Sequence, residues 1–555
     1  MASSSKLPGR KPERADVVIV GAGVGGAISA MTLAEAGLRV VCLDQGGWTR
    51  PEDHPHYSPD WEYQRVTRWS TAPNVRRRTQ DYPIDTLDEN PLMWNGVGGS
   101  SVVYTAVWPR FRPSDFRKGT EHGLQPDWPF TYEDLAPWYE QHDTLVGVSG
   151  LAGDPAIPAR GPFQTPPNAP VKLGPIAVRA FEQLGWHIWP MPSAIISEAY
   201  NGRPGCNNCG NCQSGCPTGA LNDYSRSVWP RALAAGVDLR PFSRVERVET
   251  GADGLATGVV YIDRQTGLRY QQDADVVILS ANGIGTSRLL LLSENAQHPN
   301  GLCNSSDQVG RNLMHHGLAN CELWTDQRTD THQGILAAPY ISEEFAETDP
   351  SRGFVNGFTL HITRQNGAGY QANGSHSLNT APWGGGHHDW FRRHFAHGFS
   401  VLIVGDDLPI ASNRVTLSAT LTDDSGLPAP AIAYQLDPND RRQMEYGIDR
   451  VRELADAIGA FDFRANRFLN DAGDYAPPAW HLLGTARLGD DPATSVVDPW
   501  GQAWDVPNLF IMDGSVLPTG GAVNPTSTIG AMTMRAASHL RDDFADARAG
   551  LRIGG

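Results

Sequence analysis

The sequence lacks the features that mark membrane-spanning and nucleic-acid-binding proteins. No uninterrupted apolar run reaches the roughly 18 residues needed to cross a bilayer. Residues 276–292, which come nearest, are interrupted by asparagine, glycine and arginine. Basic residues number 45 against 61 acidic ones and form no long run, so the formal charge is −16. We therefore expect no transmembrane segment and no nucleic-acid partner.

Cysteine is also scarce, with seven in 555 residues, and this excludes the disulfide framework that small secreted domains use. Residues 1–14 are polar and basic and lack the apolar stretch of a secretory signal. These absences predict a cytoplasmic protein. The length and the 40% hydrophobic content allow two or more globular domains.

The chain opens with a strand, a glycine-rich turn, a helix and a second strand. Residues 15–20 are a short apolar run typical of a strand buried on both faces. A helical pattern follows over residues 27–36, and residues 38–43 form a second apolar run. This pattern predicts one βαβ unit that opens a doubly wound parallel sheet.

The turn between the first strand and the helix has the form Gly21-x-Gly23-x-x-Gly26. In a dinucleotide site the first glycine permits the tight turn, the second lets a pyrophosphate approach the backbone, and the third allows close helix–strand packing. Asp44 ends the second strand, where a carboxylate can accept hydrogen bonds from ribose hydroxyls. A glycine-rich turn alone is weak evidence, but the complete unit predicts dinucleotide binding. It does not separate NAD from FAD.

The rest of the chain predicts an α/β protein with a second, inserted domain. Strand-like runs are listed here in order: 237–248, 257–263, 275–279, 399–404, 414–419 and 509–512. A helix is predicted over residues 439–460 and another at the C-terminus, while residues 48–91 and 150–175 are expected to be surface or linker segments.

We therefore predict a Rossmann-like FAD- or NAD-binding domain built from discontinuous segments and an inserted α+β substrate domain with an antiparallel sheet. The nucleotide domain takes residues 1–120, 226–320 and 476–555. Residues 121–225 connect its first two segments, and residues 321–475 form the substrate domain.

Five ordered blocks resemble the glucose–methanol–choline (GMC) family of FAD oxidoreductases. They are the opening βαβ unit and the stretches at residues 98–116, 280–292, 309–313 and 481–534. The resemblance implies FAD rather than NAD and implies a set of cofactor-binding residues. Besides the residues of the opening unit, these are Gly98, Gly99, Ser100, Val245 beside the adenine, Asp513 near the pyrophosphate and ribityl chain, Asn524, Pro525 and Thr526.

The same resemblance identifies His481 as the catalytic histidine and Asn524 as its partner. A neutral imidazole, with a pKa of about 6.5 when unperturbed, suits a general base that takes the hydroxyl proton of an alcohol. An amide at Asn524 could hydrogen-bond the alcohol oxygen. Relatives attach FAD covalently through a histidine in the first signature region, and none lies between Met93 and Phe116, so we predict non-covalent FAD. Tyr104 and Trp108 are expected near the flavin.

Four cysteines form the motif Cys206-x-x-Cys209-x-x-Cys212-x-x-x-Cys216-Pro. This spacing is typical of iron–sulfur ligands and predicts a 3Fe–4S or 4Fe–4S cluster. The open alternatives are a metal-free thiol loop, a zinc site and disulfides. A Cys-rich loop of this kind resembles that of GMC dehydrogenases for sugars, polyols and sugar acids.

The predicted function is an FAD-dependent dehydrogenase that oxidises a secondary alcohol of a sugar, glycoside or polyol, with electrons leaving through the cluster. The alternatives are an oxidase that uses O2, a redox-neutral or lyase member of the same fold, and a flavoprotein subunit with an electron-acceptor protein or small partner subunit. The histidine pairs His315-His316 and His387-His388 are interpreted as pocket or surface residues rather than metal ligands.

Overall fold

The computed structural model describes residues 13–54, 62, 82–86, 91–365, 367–373, 381–470 and 472–553. Most of the predicted surface segment at residues 48–91 and most of the N-terminal segment at residues 1–14 lie outside the described residues. Within the described part of the chain, no helix is long and apolar enough to cross a membrane.

The described residues form fifteen strands. Their bounds are β1 Ala15–Val20, β2 Val40–Leu43, β3 Trp189–Pro190, β4 Asp238–Arg240, β5 Ser243–Thr250, β6 Ala256–Asp263, β7 Arg269–Leu279, β8 Gly317–Trp324, β9 Tyr340–Ser342, β10 Phe358–Thr363, β11 Gly398–Gly405, β12 Arg414–Thr422, β13 Pro428–Ala433, β14 Asp462–Asn466 and β15 Leu509–Ile511.

The α-helices of the described residues are α1 Val24–Glu35, α2 Lys118–His122, α3 Tyr132–Val146, α4 Leu173–Leu184, α5 Tyr224–Ser227, α6 Trp229–Ala234, α7 Asn282–Leu292, α8 Ala368–Asn373, α9 His387–His394, α10 Pro438–Ala457, α11 Thr526–Asp542 and α12 Phe544–Arg548. His387 and His388 therefore lie on helix α9.

The first sheet joins pieces from three distant parts of the chain. Strands β4, β2, β1, β7 and β15 are parallel neighbours in that order. The C-terminal half of β7 is buried between β1 and β15, while its polar N-terminal half pairs antiparallel with β6, which pairs with β5. This is the predicted doubly wound α/β arrangement from discontinuous segments. The opening helix begins at Val24, three residues earlier than predicted.

The second sheet is antiparallel, with the order β14, β8, β11, β10, β9 and β3. One of its faces is apolar and packs against α4 and α10, as shown by Leu360, Val401 and Cys321 in one cluster with Phe181 and Ile448. The residues between them point to the opposite face, because side chains alternate along a strand. That opposite face is polar and lies toward the candidate site.

Candidate active site

A cavity of about 700 Å³ lies between the two sheets. It runs along the carboxyl ends of β1, β2 and β7, which is where open parallel α/β sheets bind nucleotides. Most of the predicted site residues line it: Gly21, Gly23, Asp44, Gly99, Ser100, Val245, His481, Asp513, Asn524, Pro525 and Thr526. Cofactor and catalytic residues predicted from distant parts of the sequence are thus brought together.

The glycine turn leaves room for a phosphate at one position only. A Cβ on Gly21 or Gly26 would overlap a backbone carbonyl oxygen, that of Ser280 or that of Gly21 respectively. A Cβ on Gly23 would meet nothing nearer than the Gly99 Cα, at 3.8 Å, because Gly23 faces the cavity. The turn, the N-terminus of α1 and the acid at the end of β2 therefore fit the diphosphate and ribose of FAD.

The two predicted carboxylates are held by local hydrogen bonds. Asp44 accepts from the backbone N–H groups of Ala22 and Gly46, each at 2.8 Å. Asp513 accepts from the Thr286 hydroxyl at 2.6 Å and from the backbone N–H of Ser515. Burial raises the pKa of both carboxyls above the ordinary value, and the hydrogen bonds oppose this effect.

The polar face of the second sheet forms the other end of the cavity. Six of its residues line the cavity: Asn320, His361, Thr363, Ser400, Leu402 and Asn466. Asn320, Leu402 and His361 are direct cross-strand neighbours in register. This end offers mostly neutral hydrogen-bonding groups, which suit a hydroxylated ligand better than an apolar one.

His481 lies between these two ends and is hydrogen-bonded through both ring nitrogens. Its Nε2 is 3.0 Å from Nδ2 of Asn524, and its Nδ1 is 2.9 Å from Nδ1 of His316. Burial, and secondarily the neighbouring imidazoles of His316, His361 and His315, lower the pKa of His481 well below 6.5. The imidazole is therefore neutral at physiological pH, as a general base requires.

The histidines around His481 were not identified as a group from the sequence. His315 and His316 are fully buried beside His481 and line neither the cavity nor the surface, so their interpretation as pocket or surface residues was wrong. His361 lines the cavity from β10, and the alternation of polar with apolar residues over Phe358–Thr363 could have indicated it. No local pattern points to His316, because its partner is 165 residues away in sequence.

Three other residues that were predicted near the cofactor do not line the cavity. Gly26 and Gly98 do not line the cavity, since Gly26 packs against the turn and Gly98 donates its N–H to the Ala22 carbonyl at 2.9 Å. Trp108 is fully buried away from the cavity, where its Nε1 donates to Asp143. Tyr104 does line the cavity and donates to the Asn222 carbonyl at 2.7 Å.

The four cysteines of the Cys-rich loop lie beside the cavity but do not line it. Across the described residues, which include this loop, no three His, Cys, Asp or Glu side chains are arranged to hold a metal ion. Burial raises the pKa of Cys206 to about 11 and that of Cys212 to about 12, so both are protonated thiols. Cys209 is exposed. The loop as described does not fit a cluster.

The sequence of this chain matches two models of a known protein family. The N-terminal GMC oxidoreductase domain matches residues 15–318, and the C-terminal GMC oxidoreductase domain matches residues 409–533. The chain therefore belongs to the GMC oxidoreductase family and is an FAD-dependent oxidoreductase, which confirms the predicted family, enzyme class and principal cofactor.

Individual relatives cover nearly the whole chain. It is 46% identical over 538 residues to 2-methyl-1,2-propanediol dehydrogenase of Mycolicibacterium austroafricanum, covering 96% of each protein. It is 29% identical to the fructose dehydrogenase large subunit of Gluconobacter japonicus, covering 96% of this chain and 98% of that one. The fold resembles that of an Aspergillus oryzae RIB40 formate oxidase variant with a TM-score of 0.64 and 17% identity, covering 97% and 100% of the two chains.

Proposed function

We propose that this protein is an FAD-dependent dehydrogenase that oxidises a hydroxyl group of a small diol or polyol. The observation that carries the proposal is the neutral His481–Asn524 pair, which lies in one cavity between the dinucleotide turn and the polar face of the second sheet. A base, a hydrogen-bonding amide and a nucleotide site are the groups that alcohol oxidation needs in one place.

Each residue has a defined task in this proposal. Bound FAD, held without a covalent link by the Gly21–Gly23 turn, Asp44 and Asp513, supplies the acceptor for the substrate hydride. His481 Nε2 takes the hydroxyl proton while the carbonyl bond forms. The Asn524 amide holds the substrate oxygen, so that the carbon–hydrogen bond has a fixed direction.

The 46% identical relative supports a diol as the substrate. 2-Methyl-1,2-propanediol has a tertiary hydroxyl, whose carbon carries no hydrogen, and a primary one. Loss of hydride is therefore restricted to the primary position. We propose a primary hydroxyl of such a diol for this protein, in place of the secondary alcohol expected from the sequence. Parallel assays with 2-methyl-1,2-propanediol and with 2,3-butanediol, whose hydroxyls are both secondary, separate the two.

The test is anaerobic mixing of the purified flavoprotein with each diol, with flavin absorbance as the readout. We expect bleaching by 2-methyl-1,2-propanediol, and its loss in His481→Ala at unchanged FAD content. A flavin that stays oxidised with every diol would favour the redox-neutral alternative. A His481→Ala variant that is reduced at the wild-type rate would show that another group is the base.

The electron acceptor is tested separately. Stoichiometric hydrogen peroxide under air would favour the oxidase alternative, whereas slow reaction with O2 and fast reaction with a quinone would favour the dehydrogenase. Polypeptides that co-purify with the chain would support the alternative of a flavoprotein subunit, since one relative is a large subunit.

The iron–sulfur cluster remains a prediction that only the cysteine spacing supports. Iron and acid-labile sulfide assays on the anaerobically purified protein test it. Three or four irons per chain would mean that the loop rearranges around a cluster. Flavin without iron would leave the four cysteines as a thiol loop.

A further inference from the structure

The hydrogen bonds around His481 determine which of its nitrogens carries the proton. The chain of contacts starts at His316, whose Nε2 lies 2.7 Å from the Gly521 carbonyl oxygen and 3.2 Å from that of Gly520. Carbonyl oxygens only accept hydrogen bonds, so Nε2 of His316 must carry a hydrogen.

His316 has only this one ring proton. It is fully buried, and burial lowers its pKa below the ordinary value, so the ring is neutral. A neutral imidazole with its proton on Nε2 has a bare Nδ1 that can only accept. The atom 2.9 Å from this Nδ1 is Nδ1 of His481, which must therefore be the donor.

From this geometry we propose that His316 is a positioning residue that fixes His481 in the Nδ1–H tautomer, so that Nε2 of His481 presents its lone pair to the substrate. The inference rests on the proposed function in one respect, the assignment of His481 as the base. His316 touches neither the cavity nor the substrate position and acts only through His481.

The opposite tautomer is disfavoured at both ends of the ring. It would bring two bare nitrogens, those of His481 and His316, to 2.9 Å from each other. It would also direct an N–H of His481 at the Asn524 amide nitrogen, which is a donor. With Nε2 bare, the Asn524 amide can donate a hydrogen to it in the absence of a ligand, and a substrate hydroxyl takes over this position when it binds.

The backbone that directs the two carbonyls depends on the glycine pair that precedes the catalytic asparagine. Gly521 has a φ of +63° and lies against Phe111, so that a Cβ would meet the ring at 3.1 Å. A Cβ on Gly520 would lie 3.4 Å from His316 Nε2 itself. The positive φ and the close approach to Phe111 require glycine at position 521, and the backbone carbonyl there points at the imidazole of His316.

Two substitutions at position 316 test the proposal. In His316→Asn the side-chain oxygen can occupy the place of Nδ1 and accept from His481, whereas His316→Leu has no acceptor. We expect His316→Leu to slow flavin reduction by 2-methyl-1,2-propanediol about 100-fold, within the range seen when a base loses its orienting partner. We expect His316→Asn to stay within about 10-fold of wild type. FAD content and the melting temperature are measured on both variants.

The tautomer is also measured without any substrate, by 15N NMR of the holoenzyme labelled at histidine. The His481 signals are identified by their loss in His481→Ala. We expect an Nδ1–H tautomer in wild type and His316→Asn and a mixture in His316→Leu. An Nε2–H tautomer in wild type would overturn the proposal, as would equal rates in wild type and His316→Leu. If no diol reduced the flavin, the proposed function would fail while the NMR result still decided the tautomer.

Discussion

Gly23 and Gly26 lie three residues apart and face different surroundings. Gly23 faces the cavity and has an ordinary, negative φ of −76°, whereas Gly26 is pressed against the carbonyl of Gly21. The same motif therefore contains one glycine that serves the ligand and one that serves the fold. The spacing predicted both roles, and the packing around each glycine agrees with them.

Gly23→Ala is expected to fold and to weaken FAD binding by about 10- to 100-fold, because the new methyl group occupies space that the diphosphate needs. Gly26→Ala is the matched variant, and we expect little folded protein from it, since its methyl group overlaps a backbone atom. FAD titration by fluorescence and thermal unfolding measure the two effects. Equal FAD affinity in Gly23→Ala and wild type would contradict the assignment.

His481 also predicts a pH profile. Its pKa lies well below 6.5, so the base stays unprotonated at pH 6.5 and loses activity only as the pH falls through the lowered pKa. The groups that face it are His316, His361, His315 and Asn524. We expect the rate constant of flavin reduction to be level from pH 8 to 6.5, measured by stopped-flow absorbance. A fall in this rate constant with a midpoint at or above pH 6.5 would mean that burial does not lower the pKa of His481.

At the scale of elements, β10 shows how one strand serves both the core and the site. The side chain of Leu360 is fully buried on the face of the sheet that α4 and α10 cover. Thr363 lies on the opposite face, where it lines the cavity. The sequence showed that polar and apolar residues alternate along this strand, but it did not show which set of residues faces the cavity. Which face would meet the cavity depends on where α4 and α10 pack.

Leu360→Ala is expected to destabilise the protein by about 2–5 kcal/mol, because it leaves a cavity in the core. Thr363→Val keeps the shape of the side chain and removes a hydroxyl, so we expect a change in stability of less than about 1 kcal/mol and a raised KM for the diol. Urea unfolding and steady-state kinetics distinguish them. A Thr363→Val variant with unchanged KM would place the substrate elsewhere in the cavity.

At the scale of the whole molecule, buried neutral histidines make stability depend on pH. His142 is fully buried between α3 and α11, where it contacts the Ser527 carbonyl and the Tyr224 hydroxyl. Burial lowers its pKa to about 4, and the charge of Asp143 opposes this only in part. Below the unfolded pKa of about 6.5 the unfolded chain binds a proton that the folded chain does not, so stability falls as the pH falls.

Between pH 7 and pH 5 this one residue should cost the wild type about 2 kcal/mol of unfolding free energy, from about 1.5 pH units at about 1.4 kcal/mol each. His142→Asn keeps a donor for the Ser527 carbonyl and has no titration, so its stability relative to wild type should improve by that amount at pH 5. Other titrating groups are common to both proteins and cancel. Denaturant unfolding at the two pH values is the measurement, and a constant difference would contradict the lowered pKa.

Strands β1, β2 and β15 of the first sheet were predictable from the sequence because they are nearly continuous apolar runs, whereas the predicted strand at residues 237–248 is divided between β4 and β5. β1 has its predicted bounds. β2 begins two residues later than predicted and ends at the predicted residue, and β15 begins at the predicted residue and ends one residue earlier. The prediction missed that β7 begins at Arg269, since its N-terminal half is polar and forms a strand only by pairing with β6. Local apolar patterns cannot show a strand that depends on its partner.

The sequence by itself determined the dinucleotide unit and the family, because each is encoded by residues close together in the chain or by ordered motifs, and the family resemblance predicted the His481–Asn524 pair. Only the tertiary structure decided that His316, 165 residues before His481, orients its ring, and that the polar face of the second sheet closes the cavity. It also showed that the four closely spaced cysteines are not arranged around a metal position. These contacts depend on how elements distant in the sequence pack together, and short-range sequence patterns do not predict that packing.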